Sequence, residues 1–301
     1  MSRILVAGLI NHEITLQVDA FPVPYYPVRY AFHAVNSTIS GVGFNIAKAL
    51  TTLDDDVSFL SILGRDTAAD LTDLACQQVG LPQAGLLRLM DQTAHSVIIY
   101  DAEGRRQINV DLKTIQETPY PAEPFEAALA QSDLAVLCNI NFTRPYLKQA
   151  RQLGVPIATD VHTISDINDE YNSDYMRAAT ILFQSDENLP CPPTDWIRRV
   201  QNHYETAITV VGLGAGGALI GVREDGYLEH MPAHVTRPIR NTIGAGDALF
   251  SAFVHSYLAN GDPYLALRKA TIFASWKIGE AGAAEGFLSP AALDELYQSL
   301  H

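Results

Sequence analysis

Cysteine is scarce in this chain: three residues in 301, at Cys76, Cys138 and Cys191, with no paired C-x-x-C spacing. That excludes a disulfide-stapled scaffold and a thiolate zinc site, and it fits a reducing, cytoplasmic setting. Positive charge is scarce as well. Lys and Arg number 20 against 34 Asp and Glu, for a net charge of −14. Such a chain has no surplus of cations to displace counterions, so no nucleic-acid partner is expected. No apolar run approaches the ~18 residues that cross a bilayer, so no membrane partner is expected either. Met1-Ser2-Arg3 leads straight into a strand-like run and lacks the long apolar core of a signal peptide. Repeats and low-complexity tracts are also missing. What is present is 48% hydrophobic and 18% charged. That length and composition support one large α/β domain or two smaller ones with a sizeable core.

The most informative stretch is Asn241-Thr242-Ile243-Gly244-Ala245-Gly246-Asp247. Apolar residues follow it at helical spacing (Phe250, Phe253, Val254, Tyr257, Leu258), and Gly261 before Asp262-Pro263 predicts the stop. A glycine-rich loop therefore runs into a helix N-terminus, where free N–H groups and the positive end of the dipole make an anion site. Asp247 is the puzzle, because a carboxylate there sits beside whatever anion the loop holds. One reading is an N-cap. The other is a base that takes a proton from an alcohol while the loop receives the charge of a transferring phosphoryl group.

Ser40-Gly41-Val42-Gly43-Phe44-Asn45 is a second glycine-rich entry into a helical pattern (Ile46, Ala49, Leu50, Leu53). Together, Asn241, Thr242, Gly244, Ala245, Gly246, Asp247, Ser251 and Ala252 resemble the C-terminal signature of the ribokinase-like, or PfkB, sugar and nucleoside kinases. Gly41, Gly43, Asn45, Ala47 and Gly64 resemble its N-terminal signature, with Asp54 where the family has Gly or Ser. The resemblance implies an α/β fold: a three-layer αβα sandwich with a mostly parallel central sheet and a small β-sheet lid. It implies a single domain over residues 1–301, with lid segments at about 12–40 and 93–115 and a homodimer formed through the lid. It implies transfer of the γ-phosphoryl of ATP, with Mg2+, to a hydroxyl of a small sugar or nucleoside. By the same resemblance Asp247 is the base, and the N–H groups of Gly244, Ala245 and Gly246 stabilise charge. Asn11, Glu13, Gly41, Gly43 and Asn45 hold the substrate, although Asn45 also reads as a helix cap.

Gln184-Ser185-Asp186-Glu187 lies where the family carries Asn-x-x-Glu acting on hydrated Mg2+. This assigns Glu187 to the metal through water, against the plainer reading of an exposed acidic loop. Gly212-Leu213-Gly214-Ala215-Gly216-Gly217 fits G-x-G-x-x-G, which by itself suggests a dinucleotide fold. The strand-like Ala218 to Val222 that follows argues against one, since a Rossmann loop opens a helix. By resemblance, Gly212, Gly214 and Gly217 with Ala283 of the 281–286 loop border the nucleotide. Cation-activated relatives often carry Asp where this chain has Asn241. A nicotinamide enzyme and a non-catalytic sugar or nucleoside sensor are the other functional classes left open.

In chain order, Ile4 to Ile10 reads as one buried strand that delivers Asn11 and Glu13 to its C-terminal end. The proline- and aromatic-rich 21–27 stretch forbids a helix. A strand at Val57–Leu63, a helix at Thr67–Val79 closed by Gly80, and a hairpin about 101–104 follow. Strands and helices then alternate: Leu134–Asn139, Pro145–Leu153, Ile157–Thr159, Ile181–Gln184, Asp195–His203 and Ala207–Val211. That alternation argues for a parallel sheet covered on both faces, with Asn139, Asp160, His162 and Glu187 at strand ends near the cleft.

Overall fold

Short apolar runs, buried on both faces, build the larger of two sheets in the computed structural model, which describes residues 2–300. Its first strands are β1 (Arg3–Ala7), β4 (Asp56–Leu63), β5 (Leu86–Arg88), β8 (Leu134–Leu137) and β9 (Ile157–Asp160). β10 (Ile181–Ser185), β11 (Ile208–Gly212), β12 (Ala218–Val222) and β13 (Tyr227–Met231) complete it. The nine strands lie in the order β13-β12-β11-β10-β9-β8-β1-β4-β5, parallel except for the antiparallel β11-β12-β13 end. Alternate residues of one strand feed different cores: Ile4 and Val6 one, Leu5 and Ala7 the other.

Helices cover both faces, the three-layer arrangement expected. One layer holds α1 (Val42–Thr52), α2 (Thr67–Val79), α7 (Ala245–Asn260), α8 (Pro263–Lys277) and α9 (Pro290–Leu300). The other holds α3 (Ala122–Ala130), α4 (Leu147–Leu153), α5 (Ser173–Ala178) and α6 (Pro193–Tyr204). α7 is buried along most of its length, and Phe250 and Phe253 both pack edge-on against Phe183 of β10. The stops expected from sequence are there. Gly80 and Gly261 are left-handed, and the Asp262 carboxylate caps α8 through the N–H groups of Tyr264 (2.9 Å) and Leu265 (3.1 Å).

The smaller sheet runs β3-β2-β6-β7, from β2 (Asn11–Gln17), β3 (Val35–Ser40), β6 (Ala94–Tyr100) and β7 (Arg106–Asp111). Here the structure corrects the reading of the first strand. The apolar run to Ile10 is not one strand: β1 ends at Ala7, and Asn11 opens β2. A Cβ on Gly8 would lie 2.5 Å from Cys138 Sγ and 2.8 Å from Gly43 Cα, so the chain turns where it passes closest to α1. The expected helix from Pro145 also begins as a 3-10 turn, Asn141–Tyr146, before α4. The glycine loop after β11 opens no α-helix and leads through a short 3-10 turn into β12.

Candidate active site

The N-terminus of α7 carries no side-chain cap. Gly244 precedes it at φ 76°, and a Cβ there would stand 2.4 Å from the Ala283 carbonyl oxygen, so only glycine lets the two loops approach this closely. The first intrahelical bond runs from Ala248 N–H to Gly244 O at 3.0 Å. Ala245 N–H is turned to Thr242 O at 3.2 Å, whereas Gly246 and Asp247 N–H have no backbone acceptor among the described residues. Free amides at the positive end of a 16-residue helix are what an anion needs.

Asp247, in that same first turn, is half-buried, and its Oδ2 accepts a hydrogen bond from Asn45 Nδ2 at 2.7 Å. Asn45 lies in the first turn of α1 and does not cap it; Ser40 Oγ donates to its Oδ1 at 3.2 Å. The residues are 202 apart in sequence, so the fold unites the two glycine-rich entries. Burial pushes the Asp247 carboxyl above the ordinary carboxylate range, against the pull of the Asn45 bond, of His162 and of Lys277.

The inward face of β2 adds Asn11 and Glu13, which are 3% and 4% exposed. Glu13 pairs in register with Ser96 of β6. Asn11 Oδ1, Glu13 Oε1 and Ser96 Oγ are all buried without a hydrogen-bond partner. Burial raises the Glu13 carboxyl too, opposed by the Ser40 hydroxyl and reinforced by Asp247. Unpaired buried polar atoms are costly, so three on adjoining strands make this a candidate site for a polar ligand. Gln184, at the end of β10, repeats the pattern, with both amide atoms buried and unpartnered.

The remaining expected residues lie at a helix entry and in two loops. Gly41 and Gly43 bracket the entry to α1, and a Cβ on either would collide with the backbone of Leu9 or Gly8. Gly212 is tied to the acidic loop by Asp186 N–H donating to its carbonyl at 3.0 Å. Gly214 stands free of neighbours, whereas Gly217 is packed against Met231 O. Glu187 stands apart, exposed, its N–H bonded to Ser185 Oγ at 3.2 Å. A lone exposed carboxylate suits Mg2+, which keeps most of its waters and takes few protein oxygens. No group of three or more metal-ligating side chains exists among the described residues.

Three contributors went unread in sequence. Ser96, in β6, carries no motif that marks it. Arg106 of β7 reaches across to donate to Thr242 Oγ1 at 3.2 Å, linking the smaller sheet to the glycine loop. Lys277 ends α8, where lysine ordinarily serves the helix dipole. Here it is fully buried and donates to the Ile243 carbonyl. Only its presence among apolar residues at Phe273 and Ala274 hinted at this.

The pfkB carbohydrate kinase family model matches residues 1–290. The chain belongs to the pfkB family of carbohydrate kinases. It is therefore a phosphotransferase with an alcohol group as acceptor. It is 25% identical over 290 residues to the ATP-dependent ribose-1-phosphate kinase of Halopiger xanaduensis, covering 94% of each chain. It is 26% identical over 292 residues to the acarbose 7(IV)-phosphotransferase of an Actinoplanes species, covering 96% of each. A solved microbiome-derived acarbose kinase, Mak1, superposes with a TM-score of 0.89 at 22% identity over 99% of both chains. The ribokinase-like fold expected from the two signatures is the one present.

Proposed function

We propose that this pfkB kinase transfers the γ-phosphoryl group of ATP to a hydroxyl of a small sugar or sugar-like substrate, with Asp247 as the general base. The observation that carries this is a half-buried carboxylate standing in the first turn of an uncapped helix whose Gly246 and Asp247 amides have no backbone acceptor among the described residues. A substrate hydroxyl placed against Asp247 Oδ1 would give up its proton there, while Asn45 holds Oδ2. A raised carboxyl pKa makes Asp247 a better proton acceptor than a surface aspartate. The free amides of Gly246 and Asp247, with Gly244 at the turn, would take up charge on the transferring group. Mg2+, held through water by Glu187 and by the phosphates, would neutralise the charge on the nucleotide. The loops at 212–217 and 281–286 form the nucleotide side of the cleft, with Ala283 against Gly244.

Asn11 Oδ1, Glu13 Oε1 and Ser96 Oγ ask for a ligand rich in hydroxyls. The named activities of relatives at about a quarter identity, on ribose-1-phosphate and acarbose, support a carbohydrate acceptor. A nucleoside acceptor is the second reading. It is favoured by the exposed rings of Tyr25, Tyr26, Tyr30 and Phe32 beside the smaller sheet, which could stack on a base. These rings, with Val97 of β6 and with Ile108 and Val110 of β7, an edge strand exposed along its length, also suit a homodimer through the lid. A coupled ADP-release assay over pentoses, hexoses, phosphorylated sugars, inositols and nucleosides tests the assignment. Acceptor-dependent release with a carbohydrate supports it, release with nucleosides alone selects the second reading, and release with none refutes both. Light scattering tests the dimer.

A further inference from the structure

Lys277 is the one lysine among the largest fully buried side chains. Among the described residues no carboxylate forms an ion pair with it, and its sole hydrogen bond is to the Ile243 carbonyl oxygen. Burying an ammonium is costly, and a methionine would fill the same space without that cost, so packing alone does not explain it. Its partner is telling. Ile243 stands four residues before Asp247, and in a continuing helix its carbonyl would accept the Asp247 N–H. Lys277 holds that carbonyl instead, and the Asp247 N–H is left for a ligand.

The surroundings fix the same loop from other sides. Asn241 Oδ1 accepts from Ile243 N–H at 2.8 Å, and Asn241 Nδ2 donates to Ala281 O at 3.0 Å. The N–H groups of Arg240 and Asn241 both reach Ile278 O, at 2.9 and 3.1 Å, one residue beyond Lys277. The glycine loop is thus tied along its length to the end of α8, and Lys277 is the residue that bonds into that seam through a buried ammonium. Four carboxylates act on it from around: Asp247 and Glu13 on the cleft side, Glu285 and Glu280 from the loop after α8. Lys48 of α1 is a second, half-buried cation that feels Glu285.

We propose that the Lys277 ammonium is a built-in cation that fixes the Ile243 carbonyl and so aims the Gly246 and Asp247 amides at the transferring phosphoryl group, in place of any exchangeable monovalent cation. It rests on the kinase reading above. Lys277 is a positioning residue in it, acting through the loop and touching no substrate. A fixed cation also places positive charge under an anion cradle in a chain of net charge −14. Burial holds the lysine pKa down to about 8, so the ammonium is the major form at neutral pH.

The test begins with unaltered protein, turned over with saturating acceptor and MgATP in potassium, sodium or tetramethylammonium chloride at matched ionic strength. Equal kcat in all three is expected; potassium activation of about tenfold or more, the scale of a lost transition-state contact, overturns the proposal. Lys277→Met should then lose about 100-fold in kcat, as for removal of one oxyanion donor, with acceptor KM unchanged and an unfolding temperature no lower than wild type. Lys277→Gln, which keeps a donor without charge, should fall between them. A folded Lys277→Met variant with wild-type kcat overturns the role, as does a loss of kcat that tracks a loss of stability. The cation series decides even where both variants fold poorly. No acceptor-dependent ADP release from wild type would sink the kinase reading too, whereas an active wild type with an indifferent Lys277→Met sinks this inference alone.

Discussion

Replacing Asp247 by asparagine isolates the proton acceptor with little disturbance to the fold. Asparagine keeps the shape and one carbonyl oxygen, so Asn45 Nδ2 retains an acceptor where the carboxylate now sits at 2.7 Å. The charge and the basicity go. Loss of a general base lowers kcat by about 10²–10⁴-fold, or about 3–5 kcal/mol of transition-state stabilisation. Stability should move the other way. Burial raises the Asp247 carboxyl pKa, so the folded chain binds that proton more tightly than the unfolded chain. Stability is then greatest below the unfolded carboxylate pKa and declines as pH rises through the folded one. At neutral pH the ionised form is a cost, and asparagine removes it. Acceptor-dependent ADP release at saturating MgATP, paired with thermal unfolding at several pH values, reads both effects. The wild-type kcat should fall as pH drops through a pKa above the usual carboxylate range, and the variant should lack that limb. A folded Asp247→Asn enzyme with undiminished kcat would refute the reasoning, because among the described residues no other carboxylate bonds to Asn45.

Two adjoining glycines should separate fold from chemistry. Gly244→Ala meets the Ala283 carbonyl at 2.4 Å from a left-handed backbone, so unfolding temperature and activity should both fall; Gly246→Ala has open space and should keep its stability while its methyl group enters the cradle and weakens ATP binding. Equal stability in the two variants, by calorimetry, would show the seam with residues 281–284 to be slack. Glu13→Gln should raise the unfolding temperature at neutral pH, since burial holds that carboxyl above its usual range and stability is lost as pH rises through it, yet should raise acceptor KM. An unchanged KM would remove Glu13 from the substrate. Glu187→Gln should raise the Mg2+ concentration needed for half-maximal rate and leave stability alone, as its side chain is exposed; an unchanged Mg2+ titration would free it of that role.

Much of this arrangement was legible because it is local. The helix entries at Gly41 and Gly244, the stops at Gly80 and Gly261 and the cap at Asp262 are each written within a few residues, and the structure has them. Asp54, the departure from the Gly or Ser of the family pattern, takes φ 61°, a left-handed conformation that aspartate tolerates better than most residues. What was not legible depends on distant partners. The break after Ala7 follows from Gly8 meeting Cys138 and Gly43, which no periodicity reports. Asn45 also reads as a helix cap in sequence, and only the fold sets Asp247 beside it. Ser96 matters only because β6 lies parallel to β2 and sets it opposite Glu13. Lys277 gave almost no signal, since a lysine at a helix C-terminus is ordinary until its environment is known to be dry.

The most direct measurement follows the label of γ-labelled ATP. Incubated with wild-type protein and the best acceptor, the label should appear in a phosphorylated carbohydrate at a rate equal to ADP release, and Asp247→Asn should lose both together. Label released only as inorganic phosphate, at a rate indifferent to acceptor or to Asp247, would contradict the account.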